Sequence, residues 1–160
     1  MKTRFLFLSL AIAAALLIPA SQTIGAGGST HSVSPVDRIS IDQPRSSGQW
    51  KAHELTVNYS YSKDQGQIDL SGNIVFANFL VLGYARLQDF RLGVIFLDAN
   101  GKVIEETGLA TNRGAFDPIP FKRRVSLPPN AASMAFSYQG DGIESGMASG
   151  RTSFSFSPVR

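Results

Sequence analysis

Two histidines and one serine are the side chains that could carry acid–base or nucleophilic catalysis. His31 lies in a segment rich in Gly, Ser and Pro, and His53 stands just before the first clearly alternating stretch. Ser145 lies between Glu144 and Gly146, and it lacks the Gly-x-Ser-x-Gly turn that presents the nucleophile of many hydrolases. The chain also has no cysteine for thiol chemistry. We predict that the protein is not an enzyme, and an uncharacterised hydrolase is the alternative.

Two pairs of oxygen-bearing side chains are candidates for holding calcium. Asp98 and Asn100 resemble the opening of a calcium loop, but the glutamates that follow come too early to complete it. Asp141 and Glu144 share a glycine-rich stretch, and two carboxylates alone make a weak site. A hairpin turn explains the first pair and a solvated loop explains the second. We therefore expect no metal site and no other cofactor.

Lys122-Arg123-Arg124 is the one concentrated run of basic residues. In a strand, Lys122 and Arg124 would point to one face, and Arg123 would share the other face with Phe121 and Val125. An inward-facing charge is typical of an edge strand that is protected from pairing with another molecule. We interpret this run as a solvated sheet edge, with a site for an anionic ligand or lipid headgroup as the alternative.

Apolar and polar residues alternate in most stretches after residue 50, which is the pattern of strands with one buried face. Seven stretches are predicted as strands: Glu54–Tyr61, Gln67–Phe76, Gln88–Leu97, Lys102–Glu106, Phe121–Leu127, Ser133–Tyr138 and Thr152–Ser157. Their inward rows would be Leu55, Val57, Tyr59 and Tyr61; Ile68, Leu70, Ile74 and Phe76; Phe90, Leu92, Val94 and Phe96; Met134, Phe136 and Tyr138; and Phe154 and Phe156. The fold class predicted is all-β, a single immunoglobulin-like antiparallel β-sandwich of about seven strands.

The turn between the third and fourth predicted strands can be specified further. Asp98-Ala99-Asn100-Gly101 has Asp first and Gly fourth, as a type I turn favours. A four-residue connection would place Phe96 opposite Val103, whereas a two-residue Asn-Gly loop would place Phe96 opposite Glu105. Because the first register pairs apolar residues, we predict the longer connection.

Residues 1–25 have the three parts of a secretory signal peptide. Two basic residues precede an apolar run, 5–18, and Pro19 and small residues follow it. The run is 14 residues long, which is shorter than the roughly 20 residues of a membrane-spanning helix. We expect cleavage between about residues 21 and 29, and a periplasmic or secreted protein with no membrane span after cleavage.

Residues 26–49 are rich in Gly, Ser, Pro and Gln, and their apolar residues are isolated, as in a flexible tether. Within them Arg38–Asp42 alternates, so a short strand at a sheet edge is an alternative. Residues 50–160 then form one domain. Removal of Lys2 and Arg4 from the 15 Lys and Arg leaves 13 against 12 Asp and Glu. A nearly neutral protein does not attract nucleic acid, so we expect no such partner.

Gly72-Asn73-Ile74-Val75-Phe76, followed by the stretch from Phe90 to Val103, resembles the strand, strand and Asp-x-x-Gly hairpin of FxLyD-like and related immunoglobulin-like domains of bacterial envelope proteins. The resemblance covers about thirty residues. It implies an extracytoplasmic sandwich without catalytic residues.

The segment from Phe76 to Tyr84 joins two predicted strands without strict alternation. It is compatible with a helical turn, a buried crossover or an exposed apolar patch. It holds more apolar surface than one connection needs, so we expect part of it to contact a protein partner or a second copy. The residues proposed for this interaction surface are Phe79, Leu80, Leu82, Tyr84 and Arg86.

These observations predict an exported, non-catalytic β-sandwich that acts as a binding or structural accessory protein of the bacterial envelope. The alternative is a small β-barrel that carries an apolar ligand, because inward aromatic rows could also line a cavity.

Overall fold

The computed structural model describes residues 31–145 and 150–160, and the predicted signal peptide lies outside them. One turn of 3₁₀ helix spans Pro35–Asp37, and the single α-helix, α1, spans Asn78–Gly83. The strands are β1 (Ile39–Ser40), β2 (Arg45–Lys51), β3 (Leu55–Asp64), β4 (Gln67–Phe76), β5 (Arg86–Leu97), β6 (Val103–Gly114), β7 (Ile119–Ser126), β8 (Ser133–Ile143) and β9 (Arg151–Phe156).

The nine strands form two antiparallel sheets, which we call the first and second sheet. The first has the order β1-β8-β5-β6, with β9 also paired to β8, and the second has the order β2-β3-β4-β7. The prediction of an all-β sandwich is confirmed. The sheets remain separate in the described residues, and they do not close into the single sheet that the barrel alternative required. The two strands beyond the predicted seven are β1 and β2.

The core lies between the sheets and is built from the predicted inward rows. From the second sheet, Leu55, Val57, Ile68, Leu70 and Ile74 are at most 1% exposed. Facing them from the first sheet are Phe90, Leu92, Val94, Phe96, Met134 and Phe136, which are equally buried. Tyr59 and Phe156 are only partly buried and pack against the edge of this core. The period-two pattern therefore assigned the buried face of these strands correctly.

The structure differs from the predicted boundary at residue 50. Val33 and Ile41 are each 1% exposed, and β2 pairs with β3 along its whole length from Arg45. Val33 packs with Ile95, Leu97 and Ala135 on the outer side of the first sheet. Residues 32–49 therefore belong to the sandwich and not to a tether. Val33 and Ile41 belong to two different apolar clusters, so no run of apolar residues marks this segment in the sequence.

The hairpin between β5 and β6 has the predicted turn but not the predicted register. The Gly101 N–H donates to the Asp98 carbonyl at 2.9 Å, as in a type I turn. Phe96 nevertheless lies opposite Glu105, because a bulge intervenes between Phe96 and Leu97. A left-handed Gly101, with φ of 83°, accompanies this turn. An extra residue on one strand shifts the pairing, and the apolar pattern gave no sign of it.

The predicted edge strand around Arg123 is confirmed, since β7 is the last strand of the second sheet. Arg123 is exposed between the buried Phe121 and Val125. β6 is also an edge strand, and it continues eight residues beyond the predicted end at Glu106. The residues Thr107–Gly114 lack clear alternation because only Leu109 among them is buried.

Candidate interaction surface at one end of the sandwich

Several connections meet at one end of the sandwich. The Ala77 N–H donates to the Glu54 carbonyl at 2.8 Å, which joins the β4–β5 connection to the β2–β3 connection. The Ala85 N–H donates to the Ile143 carbonyl at 2.9 Å, which joins the same connection to the end of β8. The ring of Tyr84 packs 6.4 Å from that of Phe116, in the β6–β7 connection. The segment containing α1 is therefore held on three sides.

α1 is too short to be stable by itself, because a helix of six residues completes few backbone hydrogen bonds. No side chain caps its first turn. Leu80 is 2% exposed and belongs to the main core, so its burial fixes the helix to the sandwich. Our prediction that Leu80 forms part of an interaction surface is therefore wrong. Its side chain faces inward on the helix, where no partner can reach it.

The opposite side of α1 presents apolar side chains to solvent. Leu82 is 86% exposed, Phe79 is 48% exposed and Val81 is 45% exposed. We call these three residues the α1 patch. Isolated apolar residues are common on protein surfaces, but here three exposed apolar residues lie within four consecutive positions.

Two other residues of the predicted surface lie beside the α1 patch. Tyr84 is partly buried, and its ring covers Gly142, where an added Cβ would lie 2.6 Å from the ring. Arg86 is exposed at the start of β5, opposite Ile143. The Tyr84 ring therefore packs the residue that follows α1 onto the sandwich, and Arg86 is accessible to solvent.

Val81 and His53 were missing from the predicted surface. Val81 differs little in sequence context from Leu80, and only the direction of the helix distinguishes the buried residue from the exposed one. The His53 ring lies 4.9 Å from the Phe79 ring, and its Nδ1 lies 3.3 Å from Glu54 Oε1. The contact between the His53 and Phe79 rings depends on the fold, because 26 positions separate the two residues in the chain.

Glu54 links this end of the sandwich to the core by a partly buried hydrogen bond. The Tyr138 hydroxyl donates to Glu54 Oε2. Burial first, and then the bond to the carboxylate, raises the pKa of Tyr138 above its ordinary value. Tyr138 consequently stays protonated and acts as a donor throughout the physiological range. The contact is structural, since it satisfies a polar group at the rim of the core.

Asp141 is hydrogen-bonded to neighbouring side chains in the first sheet. Its carboxylate accepts hydrogen bonds from Arg151 at 2.5 Å and from Ser153 at 2.6 Å. The Arg151 guanidinium, followed by the Ser153 hydroxyl, lowers the pKa of Asp141 below its ordinary value. Arg151 also lies 3.7 Å from Asp89, which accepts from Arg113. These pairs account for Asp141 without a metal.

The remaining candidates from the sequence are far from the α1 patch. Asp98 Oδ1 accepts from the N–H groups of Asn100 and Lys102, both at 2.9 Å, as a turn residue does. Arg124 contacts Asp64 at 3.1 Å across the second sheet. Among residues 31–145 and 150–160, no three His, Cys, Asp or Glu side chains are arranged to hold a metal ion. The described helices include none of the length and apolar character needed to cross a membrane.

Comparison with known proteins adds no relative. No family model matches the chain, no curated protein matches it, and no solved structure matches it. The resemblance to FxLyD-like domains therefore stays a prediction from the sequence.

Proposed function

We propose that this chain is an exported, non-catalytic β-sandwich that acts as a binding or structural accessory protein of the bacterial envelope, in the periplasm or outside the cell. We further propose that it contacts a protein partner, or a second copy of itself, through the α1 patch. The observation that carries the proposal is the division of one short helix between the core and solvent. Leu80 is 2% exposed while Leu82, two residues on, is 86% exposed.

The support for a contact surface is energetic. Burying a fully exposed Leu or Phe side chain contributes about 1.5–3 kcal/mol, so an exposed pair on a rigid support is a favourable site for association. The support is rigid because Leu80, the Glu54 carbonyl and the Ile143 carbonyl hold the segment in place. An interface anchored in this way loses little conformational entropy when the partner binds. Arg86 beside the patch is of a residue type that is enriched at interfaces.

The test compares two equally exposed apolar residues at opposite ends of the molecule. Leu82→Asp places a charge in the α1 patch, and Val36→Asp places one in the 3₁₀ helix, where Val36 is 87% exposed. The wild-type and both variants are purified from the envelope fraction under mild cross-linking, and self-association is measured by sedimentation velocity. We expect Leu82→Asp to lose the cross-linked partner or to fail to dimerise. Val36→Asp should associate as the wild type does.

Both variants should melt within about 2 °C of the wild-type protein, since substitutions at exposed positions rarely change stability by more than about 0.5 kcal/mol. Equal association of all three proteins would overturn the role of the α1 patch.

A further inference from the structure

The edge strands of the two sheets differ in how they are protected from pairing with another chain. Exposed edge strands are commonly blunted by bulges, proline or inward charges, because their free backbone groups bind other strands. The pairing of β6 with β5 is interrupted by register shifts next to Leu92 and Phe96 of β5. β7 has the inward Arg123 and the proline Pro120. The remaining edge of the first sheet is divided between β1 and β9.

β2 has no bulge, no proline and no inward charge, and its two charged residues, Arg45 and Lys51, lie at its ends. It pairs with β3 over seven consecutive residues without a register shift, from Arg45↔Ser62 to Lys51↔Thr56. It contains no proline, and its inward positions are Ser46, Gly48 and Trp50. Six of its seven residues are exposed. Within the described residues, its other side pairs with no strand.

The hydrogen bonds at both ends of β2 show which of its backbone groups face outward. The Lys63 N–H donates to the Pro44 carbonyl at 2.7 Å, and the Ala52 N–H donates to the Leu55 carbonyl at 2.9 Å. In an antiparallel ladder, directly opposite residues alternate between hydrogen-bonded and non-hydrogen-bonded pairs. The even-numbered residues from 44 to 52 therefore bond to β3. The N–H and C=O groups of residues 45, 47, 49 and 51 point to the open side.

The side chains of the same four residues lie on the outer face of the second sheet, with Arg45 and Lys51 at the two ends. In the described part of the chain, no carboxylate lies within 4.0 Å of either cation. If β2 paired with β2 of a second copy about a two-fold axis at Gly48, each Arg45 would lie opposite a Lys51. Like charges directly opposite destabilise a strand pair. A second copy is therefore a poor occupant of this edge in the register that pairs the two strands along their whole length.

The inner side of the edge is apolar at one end. Trp50 is partly buried, and its ring lies 5.4 Å from Phe156 of β9 and 5.6 Å from Phe136. A strand added beside β2 would direct alternate side chains toward this aromatic rim. Its other side chains would lie on the outer face, beside Arg45 and Lys51. Charge complementarity favours acidic residues at those positions.

We propose that the β2 edge is a strand-addition site for an extended peptide segment of a partner protein, in which apolar residues alternate with polar ones and acidic residues lie opposite Arg45 and Lys51. The segment pairs antiparallel to β2, as all strands in both sheets do. Backbone hydrogen bonds to residues 45, 47, 49 and 51 supply affinity, and the two cations supply specificity for acidic side chains. This site does not depend on the α1 patch.

The first experiment measures binding of a synthetic peptide to the protein produced from the full chain, with Trp50 fluorescence as the signal. The peptide has about nine residues, with Glu at its second and eighth positions, Thr at its fourth and sixth, and Val or Ala between them. A second peptide has Lys in place of both Glu. We expect the acidic peptide to bind at least tenfold more tightly, and rising salt to reduce the difference. Equal binding of the two peptides would refute the role of Arg45 and Lys51.

The second experiment removes one outward backbone donor. Ser47→Pro deletes an N–H that makes no bond to β3, and edge strands tolerate proline at such positions. Ser47→Ala retains the N–H and is the matched control. We expect Ser47→Pro to lower the affinity for the acidic peptide at least tenfold. Ser47→Ala and Leu82→Asp should bind this peptide as tightly as the wild type does.

If Ser47→Pro does not fold, N-methylation of the sixth peptide residue removes the other hydrogen bond of the same residue pair, from the peptide N–H to the Ser47 carbonyl, and we expect a similar loss. Undiminished binding by Ser47→Pro or by the methylated peptide would overturn the proposal. So would a wild-type dimer that Ser47→Pro dissociates, because the edge would then pair with a second copy.

Discussion

Truncation of Leu80 and of Leu82 to alanine should have very different effects on stability, although only one residue separates them. Leu80 is 2% exposed and Leu82 is 86% exposed. A Leu→Ala substitution at a buried position lowers the free energy of unfolding by about 2–5 kcal/mol. The loss combines the transfer free energy of the removed atoms with the cost of the cavity left behind. Because Leu80 lies on a short helix at one end of the sandwich, partial collapse is feasible, and we expect about 2–3 kcal/mol. Leu82→Ala should change stability by less than about 0.5 kcal/mol.

Urea unfolding followed by Trp50 fluorescence measures both values in one assay. Trp50 is the only tryptophan, and its ring lies 5.6 Å from Phe136 and 6.1 Å from Tyr138 of the other sheet. Its signal therefore reports separation of the two sheets. At about 4 °C per kcal/mol for a domain of this size, Leu80→Ala should also lower the melting temperature by roughly 8–12 °C.

The slope of unfolding free energy against urea should be the same for all three proteins, since the surface exposed on unfolding is nearly unchanged. A loss below about 1 kcal/mol for Leu80→Ala would refute the assignment of Leu80 to the core. Equal losses for the two variants would show that the helix does not have one buried and one exposed side.

Three further outcomes are expected. Asp141 has a lowered pKa, so the stability it contributes is fully present above its ordinary pKa of 3.8 and is lost as pH falls through its folded-state pKa. Asp141→Asn should therefore be less stable than the wild type at pH 7, and the difference in melting temperature should shrink below about pH 4. A chain beginning at Trp50 should melt far below one beginning at His31, or fail to fold by circular dichroism, because it lacks Ile41 and most of β2; equal melting would show that residues 31–49 are dispensable. Mass spectrometry of the exported protein should find its first residue between about positions 21 and 29, and peptides from Met1 on a membrane-bound protein would instead indicate an uncleaved anchor.

Local pattern determined most of the fold. Gln67–Phe76 was predicted with the bounds that the structure shows for β4. The inward rows of β3, β4, β5 and β8 followed from alternation, because a strand places successive side chains on opposite faces wherever it lies. The edge position of β7 followed from the inward Arg123, since a charge between apolar neighbours is compatible with a sheet edge and not with its centre.

Only the tertiary structure decided the features that depend on contacts between distant residues. β2 contains Ser, Gly and Gln, and its pairing with β3 rather than its composition makes it a strand. Val33 and Ile41 are buried because residues far along the chain leave space for them. The bulge beside Phe96 sets the hairpin register, and the direction of α1 buries Leu80 while exposing Leu82. In each case the residue type allows two environments, and the free energy of packing the whole sandwich selects one.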